Sequence, residues 1–262
     1  MRTVGTVVRG IRTPIIKYGD KLDDVVTEAL LNASKSEKFE FHDKDVVGIT
    51  EAVVAITQKN FITVEQLSKE IRKVFPDEVG VVFPILSRNR FSLILKAIAK
   101  ASKKVHVLLS YPSEEVGNHL IGPEIVDANN INPYTKLFEE KEFRKMFGEH
   151  LVHRFTGVDY ATAYKELGDG NIEIHFSNNP KDILKYTKNV IAADIHTRFR
   201  TKKILKDSGA ELVYGLDDFC NKKSDVHGYN LDYGVLGSNK VAEDRLKLFP
   251  RDCNEFVRLV QK

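Results

Sequence analysis

The chain has 262 residues but only two cysteines, Cys220 and Cys253, and no tryptophan. Two cysteines form at most one disulfide bond, and these two lack the Cys-x-x-Cys spacing of zinc and redox motifs. Such sparse cysteine usage is typical of a reducing compartment, so we expect a cytoplasmic protein. Because tryptophan is absent and aromatic residues make up 9% of the chain, stacking platforms for single-stranded nucleic acid have few candidates.

A strong charge of one sign is also lacking. Lysine and arginine total 40 and aspartate and glutamate total 37, which gives a net charge of +3. This charge is too small to neutralise the roughly six to ten phosphates that a duplex-binding face contacts. No segment approaches the ~20 apolar residues of a membrane helix, and the N-terminal stretch has no apolar run of signal-peptide length. We therefore expect neither a nucleic acid nor a membrane as partner.

The short motifs of several common enzyme classes are missing. The sequence contains neither G-x-G-x-x-G nor G-x-x-x-x-G-K-[ST], which excludes ordinary dinucleotide-binding and P-loop sites. It also contains neither H-E-x-x-H nor G-x-S-x-G, so zinc peptidases and serine hydrolases have no anchoring motif.

What is present is an alternation of short β-branched runs with longer amphipathic stretches, which predicts a mixed α/β fold with a mixed sheet and flanking helices. Val79–Phe83 and Val105–Ser110 are predicted strands on either side of a helix over Phe91–Ala101, an arrangement that favours parallel pairing. Thr63-Val64-Glu65-Gln66 has the residue types of a capping box at the start of a helix.

Two further strands, the domain organisation and one turn complete the predicted fold. Thr3–Ile11 and Val46–Thr50 are predicted strands. Residues 1–262 are expected to form one unit, within which residues 88–150 are an insertion or second lobe. The turn Gly237-Ser238-Asn239-Lys240 is interpreted either as an anion-binding backbone nest or, more simply, as a turn before a helix over Val241–Leu246.

Two aspartates lie at positions where a ligand-binding site is expected. Asp159 follows Gly157 at a loop-to-helix junction, and Asp194 follows the apolar strand Val190–Ala193. Open α/β sheets bind ligands at the carboxyl ends of their strands, and Mg²⁺ or Mn²⁺ is commonly held there by one or two carboxylates and substrate phosphates. Arg198 adds a group that can bind phosphate oxygens. An aspartate before a helix is more often an N-cap than a ligand, so capping stays open for both.

Two further segments carry a resemblance to a known family. The run Gly10-Ile11-Arg12-Thr13-Pro14-Ile15-Ile16-Lys17-Tyr18-Gly19-Asp20, followed by Lys44-Asp45-Val46-Val47-Gly48-Ile49-Thr50-Glu51-Ala52-Val53-Val54, resembles the N-terminal signature of the coenzyme F-420 gamma-glutamyl ligase family. Asp159 and Asp194 fall, in order, where that family has its two metal-binding aspartates. The chain is similar to a divergent member of this family.

The resemblance implies an activity. The family joins L-glutamate to the carboxylate of a deazaflavin precursor at the expense of GTP, uses a divalent metal, and acts as a homodimer with an unusual α/β fold. It implies that this chain is a GTP- or ATP-dependent amide ligase that works on a carboxylate acceptor through an acyl phosphate. Asp159 and Asp194 would hold Mg²⁺ or Mn²⁺. The nucleotide would contact Thr13, Pro14, Ile15, Ile16 and Thr162.

One departure from the family pattern supports an alternative. The family has basic and hydroxyl residues that contact phosphate after the second signature segment, whereas this chain reads Glu51-Ala52-Val53-Val54-Ala55-Ile56. A missing lysine removes a positive charge from the phosphate site. The alternative is a non-catalytic paralogue that still binds nucleotide and metal, and a weaker one is an anion-responsive regulator or scaffold that uses residues 88–150.

Overall fold

The computed structural model describes residues 3, 5–148, 151–153 and 155–262. The α-helices are α1 (Leu22–Glu37), α2 (Glu51–Thr57), α3 (Val64–Arg72), α4 (Phe91–Ala101), α5 (Pro123–Ala128), α6 (Glu140–Phe147), α7 (Tyr160–Lys165), α8 (Arg198–Asp207) and α9 (Cys253–Gln261). The strands are β1 (Phe61–Thr63), β2 (Glu78–Val82), β3 (Lys104–Leu109), β4 (Phe138–Glu139), β5 (Ile172–Phe176), β6 (Asn189–Ala192), β7 (Leu212–Gly215), β8 (Asn239–Ala242) and β9 (Arg245–Lys247). Short 3-10 helices cover Pro180–Lys185 and Leu216–Asp218. The predicted mixed α/β class is confirmed.

The chain divides into two compact units, of which the first comprises residues 1–61 and 249–262 and the second residues 62–248. In the first unit, Leu22 and Val26 of α1 pack with Val54 of α2, and Phe256 and Val260 of α9 lie against this small cluster. Gln58 and Arg251 exchange side-chain and backbone hydrogen bonds of 2.7 and 2.8 Å, which fix the end of α2 to the segment before α9.

The second unit is built on a six-stranded sheet with the order β4-β5-β3-β2-β6-β7. β2 pairs in parallel with both β3 and β6, and β5 and β7 extend the parallel array outward from these two strands. β4 closes one edge in antiparallel orientation. The predicted parallel arrangement of the strands around α4 is therefore confirmed.

The alternation of side chains along the strands gives the sheet two different faces. One face carries Val79, Val81 and Val107 and packs against α3 and α4 in the main hydrophobic core. The other face carries Val82 and Leu108, which pack with Ile183 of the 180–185 helix and Leu205 of α8. Both faces are covered, as expected for a parallel sheet.

Local signals determine the start of α3. The Thr63 hydroxyl accepts from the backbone N–H of Gln66 at 3.1 Å, and the Gln66 side chain accepts from the backbone N–H of Thr63 at 2.9 Å. The predicted capping box is present. It satisfies two backbone donors that the first turn leaves without partners.

Two predicted strands are wrong. Residues 5–11, which with Thr3 are the described part of the expected strand Thr3–Ile11, adopt no regular secondary structure. Val46–Thr50 is likewise coil that leads into α2, with Thr50 at the N-cap position and Val46 92% exposed. A β-branched run forms a strand only where a neighbouring strand receives its backbone hydrogen bonds, and neither segment pairs with a strand in the sheets of the described residues.

The helix predicted over Val241–Leu246 is also wrong, since this segment forms the β8–β9 hairpin. β9 lies between β8 and β1 in a three-stranded sheet. The Asp244 carbonyl in the hairpin turn accepts a 2.8 Å hydrogen bond from Val64 N–H. Pairing with β1, which is remote in sequence, overrides the weak local helix pattern.

Residues 88–150 contribute α4, β3, α5, β4 and α6 to the second unit. β3 is an interior strand between β2 and β5. The segment therefore supplies part of the central sheet. In the part of the chain that is described, no helix combines the length and the apolarity that crossing a bilayer requires.

Candidate functional site

The strand order places a crevice at the centre of the six-stranded sheet. From β2 the chain first moves outward through β3 and β5 and then returns to β6 and β7 on the other side of β2. The loops that follow β2 and β6 therefore leave in opposite directions, and ligands of open α/β sheets bind at the carboxyl ends of strands at such a point. Residues 193–197, which follow β6, lie at this position.

Asp194 follows β6 by two residues and is fully buried. Its Oδ2 accepts hydrogen bonds of 2.7 Å from two hydroxyl groups, that of Thr197 just before α8 and that of Thr201 within α8. Its Oδ1 is buried and has no hydrogen-bond partner among the described residues. Burial raises the pKa of Asp194, and the two threonine hydroxyls only partly counter that effect.

A second carboxylate, that of Glu115, lies at the same end of α8. It accepts backbone hydrogen bonds from Ile195, from His196 at 3.1 Å and from Thr197 at 3.3 Å. Consecutive N–H groups at a helix N-terminus form a site that favours anions. Because the first turn of α8 has no acidic residue of its own, Glu115 supplies the negative charge that complements the helix dipole.

Thr197 connects the two carboxylates. Its hydroxyl oxygen lies 2.7 Å from Asp194 Oδ2 and 3.2 Å from Glu115 Oε2. A hydroxyl group has a single proton and can donate it to only one acceptor at a time. Two carboxylates thus approach one donor, and one buried oxygen of Asp194 has no hydrogen-bond partner among the residues described. A bound cation or a proton would stabilise this arrangement.

Sequence reasoning missed Glu115. The signal that could have found it is similar to the one that selected Asp194, because the polar run Ser113-Glu114-Glu115 begins four residues after the apolar strand β3. Glu114 differs from Glu115, since it is buried and accepts hydrogen bonds from the backbone of Val116 and Asn118 in its own turn at 3.0 and 2.8 Å.

Asp159 is the N-cap residue of α7. Its Oδ1 accepts from Thr162 N–H at 3.0 Å, and its Oδ2 accepts from Arg144 Nη1 at 2.7 Å. Arg144 also donates to Glu140 at 2.7 Å, so this guanidinium lies between two carboxylates. Burial raises the pKa of Asp159, but the hydrogen bonds from Arg144 and Thr162 outweigh it, and the pKa is lower than usual.

The structure records no contact between the two predicted metal ligands. α7, which Asp159 caps, packs on β5, whereas Asp194 follows β6, and β3 and β2 lie between these two strands. The partners of Asp159 and those of Asp194 have no residue in common. In the structure Asp159 is a helix N-cap, as the capping alternative predicts.

Thr162, the predicted nucleotide contact in the second unit, belongs to the Asp159 cluster. Its hydroxyl group accepts from Arg144 Nη2 at 2.8 Å and donates to Asp159 Oδ2 at 2.9 Å. Arg198, in contrast, is the first residue of α8, the helix that follows β6, and it pairs with Asp217 at 2.9 Å.

The other predicted nucleotide contacts, Thr13, Pro14, Ile15 and Ile16, lie in the first unit in a segment without regular structure. Ile15 is 85% exposed. Pro14 lines a groove of about 890 Å³ along α1, together with the basic side chains of Arg9 and Arg12. The groove is large enough for a nucleotide-sized ligand, and its lining combines these two arginines with the acidic Glu28 and Glu37.

Comparison with protein families gives one match. A family model described as F420-0:Gamma-glutamyl ligase matches residues 10–262, which include parts of both units and nearly the whole chain. Comparisons with curated proteins and with solved structures give no significant match.

Proposed function

Because the chain belongs to the F420-0:gamma-glutamyl ligase family, we propose that it is a nucleoside-triphosphate- and divalent-metal-dependent ligase. It would add an amino acid, most simply L-glutamate, to a carboxylate acceptor. The acceptor carboxylate attacks the γ-phosphorus of GTP or ATP, which forms an acyl phosphate and releases GDP or ADP. The amino group then attacks the acyl carbon, loses a proton and displaces inorganic phosphate.

The observation that supports this proposal most strongly is the environment of Asp194. A fully buried carboxylate, one of whose oxygens has no partner within the described part of the chain, lies beyond the carboxyl end of β6, next to the second carboxylate of Glu115. Oxygen ligands of this kind fit Mg²⁺ or Mn²⁺. Such an ion, when bound, neutralises negative charge on the transferred phosphoryl group.

Asp159 fits a metal less well in the arrangement described, because Arg144 and Thr162 already occupy its oxygens. Asp159 is the proposed second metal ligand, and this role requires that the hydrogen bond from Arg144 to the Asp159 carboxylate break. The guanidinium of Arg144 could then pair with phosphate oxygens, for which its geometry is suited.

The nucleotide is proposed to bind along residues 13–16. Support comes from the groove lined by Pro14, Arg9 and Arg12, whose guanidinium groups can pair with phosphates. Thr162 is proposed as a polar nucleotide contact on the family resemblance alone. We further propose that the protein is a homodimer, as the family resemblance implies, and that it is cytoplasmic, as its sparse cysteine usage indicates. Light scattering of the purified protein tests the dimer.

A second candidate function is a non-catalytic paralogue that binds nucleotide or metal without turnover. Two observations favour it. The carboxylate of Glu115 accepts from the N–H groups of His196 and Thr197 just before α8, so a phosphate could bind these groups only by displacing it. The helix α2 contains neither lysine nor serine.

A phosphate-release assay separates the two candidates. The protein is supplied with GTP or ATP, Mn²⁺, L-glutamate and F420-0, the acceptor that the family description names. Release of phosphate that requires both glutamate and F420-0 supports the ligase. Thermal stabilisation by nucleotide and Mn²⁺ without phosphate release with any substrate combination supports the paralogue.

Variants test the site assignment. Asp194→Asn should abolish both the stabilisation by Mn²⁺ and the phosphate release, because it removes the buried anionic ligand. Asp169→Asn is a matched control, since Asp169 is exposed and the described residues give it no hydrogen bond or ion pair. Unchanged Mn²⁺ affinity in Asp194→Asn would refute the role of Asp194.

A further inference from the structure

Two buried histidines face each other on the sheet face opposite α3 and α4. His106 lies on β3 and His175 on β5, and both side chains are 3% exposed. The distance from His106 Nδ1 to His175 Nε2 is 3.1 Å. Glu173, which precedes His175 by two residues on the same face of β5, brings its Oε2 to 3.3 Å from His106 Nδ1.

Carboxylates on the outer side of each imidazole determine where the ring protons lie. Glu78 Oε1 is 3.0 Å from His106 Nε2, and Glu139 Oε2 is 2.8 Å from His175 Nδ1. An ionised carboxylate can only accept, so each outer ring nitrogen must carry a proton. In a neutral imidazole the other nitrogen then has a lone pair and no proton.

The inner nitrogens, His106 Nδ1 and His175 Nε2, therefore present two lone pairs to each other, beside the negative charge of Glu173. Three electron-pair donors that converge in this way repel one another unless a positive charge lies between them. We propose that His106, His175 and Glu173 bind one divalent transition-metal ion of the class that prefers imidazole, best represented by Zn²⁺. This site is separate from Asp159 and Asp194 and does not depend on the ligase reaction.

The distances fit such an ion. Two nitrogens that each lie about 2.0–2.1 Å from a tetrahedral Zn²⁺ are about 3.3 Å apart, close to the 3.1 and 3.3 Å measured here. Ligand atoms from all three residues lie within 4.8 Å of one another. A set of two histidines and one glutamate suits Zn²⁺ and is unsuited to Mg²⁺, which prefers oxygen ligands.

The surroundings support each ligand. Histidines that bind metals donate their other ring N–H to a carboxylate or carbonyl group, which fixes the tautomer and orientation; Glu78 and Glu139 have this role here. Lys104 pairs with Glu173 Oε1 at 3.0 Å and leaves Oε2 to face the histidines. Tyr186 stacks on the His175 ring with a centroid distance of 3.9 Å.

A shared proton is the competing occupant of the space between the rings. It requires one imidazole to be doubly protonated. Burial lowers the pKa of His175, although the Glu139 carboxylate acts in the opposite direction. The Glu173 side chain is 50% exposed, so a metal ion could reach the site from solvent and keep a water molecule as its fourth ligand.

The test is a Zn²⁺ titration of the full chain after metal removal with a chelator and dialysis. All proteins carry Cys253→Ser, because Cys253 is an exposed thiol that would also bind zinc. With excess Mg²⁺ present to occupy the site proposed at Asp194, we expect one tightly bound Zn²⁺ per chain, measured by competition with a chromophoric chelator. With Co²⁺ we expect the intense visible absorption of a tetrahedral site. Excess Mg²⁺ should not compete.

Three variants decide the assignment. Glu173→Gln alters an exposed side chain and should weaken Zn²⁺ binding at least tenfold. Its matched control is Glu211→Gln, which also removes an exposed glutamate paired with a lysine and should leave binding unchanged. Glu78→Gln should weaken binding about 10–100-fold through loss of the outer carboxylate.

Asp194→Asn distinguishes this site from the proposed ligase metal site and should leave Zn²⁺ binding intact. The inference is overturned if the chain binds no Zn²⁺, in which case a proton occupies the space between the histidines. It is also overturned if Glu173→Gln binds Zn²⁺ as tightly as the parent, or if Asp194→Asn abolishes binding.

Discussion

Replacing Asp159 should destabilise the metal-free protein through two separable losses. The carboxylate caps α7 by accepting from Thr162 N–H, and it forms an ion pair with Arg144. Loss of a cap costs about 1 kcal/mol. The ion pair has side chains that are 23% and 32% exposed, so solvent screening limits its contribution to about 1 kcal/mol. Asp159→Ala should therefore cost about 2 kcal/mol.

Asp159→Asn separates the two contributions, since asparagine retains a carbonyl oxygen for the cap but has no charge. It should cost about 1 kcal/mol. Urea unfolding in buffer with a chelator measures both free energies, and Tm should fall by about 2–4 °C per kcal/mol for domains of roughly 150–250 residues. Asp169→Asn is again the control. A double-mutant cycle with Arg144→Ala should give a coupling energy of about 1 kcal/mol.

The opposite pattern would refute this reasoning. If Asp159→Asn were at least as stable as the parent without metal, the pair with Arg144 would contribute nothing. If Mn²⁺ then stabilised the parent but not the variant, the functional partner of the Asp159 carboxylate would be the metal.

Three further predictions concern the second unit. Gly80→Ala should destabilise it by about 1–3 kcal/mol in urea unfolding, because the new Cβ would collide with the Ile183 side chain; an equal cost in an Ile183→Ala background would contradict the collision. Although burial raises the pKa of Asp217, the hydrogen bond from Arg198 makes the folded-state pKa lower than usual. The stabilisation from the Asp217 carboxylate is therefore complete above its unfolded-state pKa of about 3.9 and is lost as the pH falls below that pKa. Asp217→Asn should lose less stability than the parent from about pH 4 downward. An unchanged dependence of the unfolding free energy on acid pH would contradict this prediction. Thr63→Ala should cost about 1 kcal/mol through loss of the capping box, and Thr63→Ser should recover most of it; no recovery in the serine variant's urea midpoint would indicate that the hydroxyl is not the cause.

Elements with a strong local signal could be predicted from the sequence. The capping box at Thr63 and the strands around α4 are confirmed because neighbouring residues determine them. The segment Val46–Thr50 and the hairpin over Val241–Leu246 could not be predicted, because each depends on whether a distant strand is available for pairing.

The candidate site was predictable only in part. The position of Asp194 follows from the rule that polar residues after an apolar strand reach the carboxyl edge. The cap that Asp159 forms is a local contact with Thr162 N–H, and the sequence left it open as an alternative. The ion pair of Asp159 with Arg144 is a tertiary contact that the sequence does not reveal. The histidine pair had a faint signal, since His106 and His175 interrupt apolar strands, but only the register between β3 and β5 brings them together.

The carboxylate of Glu115 also determines how an outside anion can reach the start of α8. The amide hydrogens there are already engaged by a group tethered to the same polypeptide, and a tethered competitor acts at an effective concentration of about millimolar or higher. A phosphate that binds to these amides must first displace the tethered carboxylate, so its measured affinity is the intrinsic affinity multiplied by the fraction of time that the carboxylate is away.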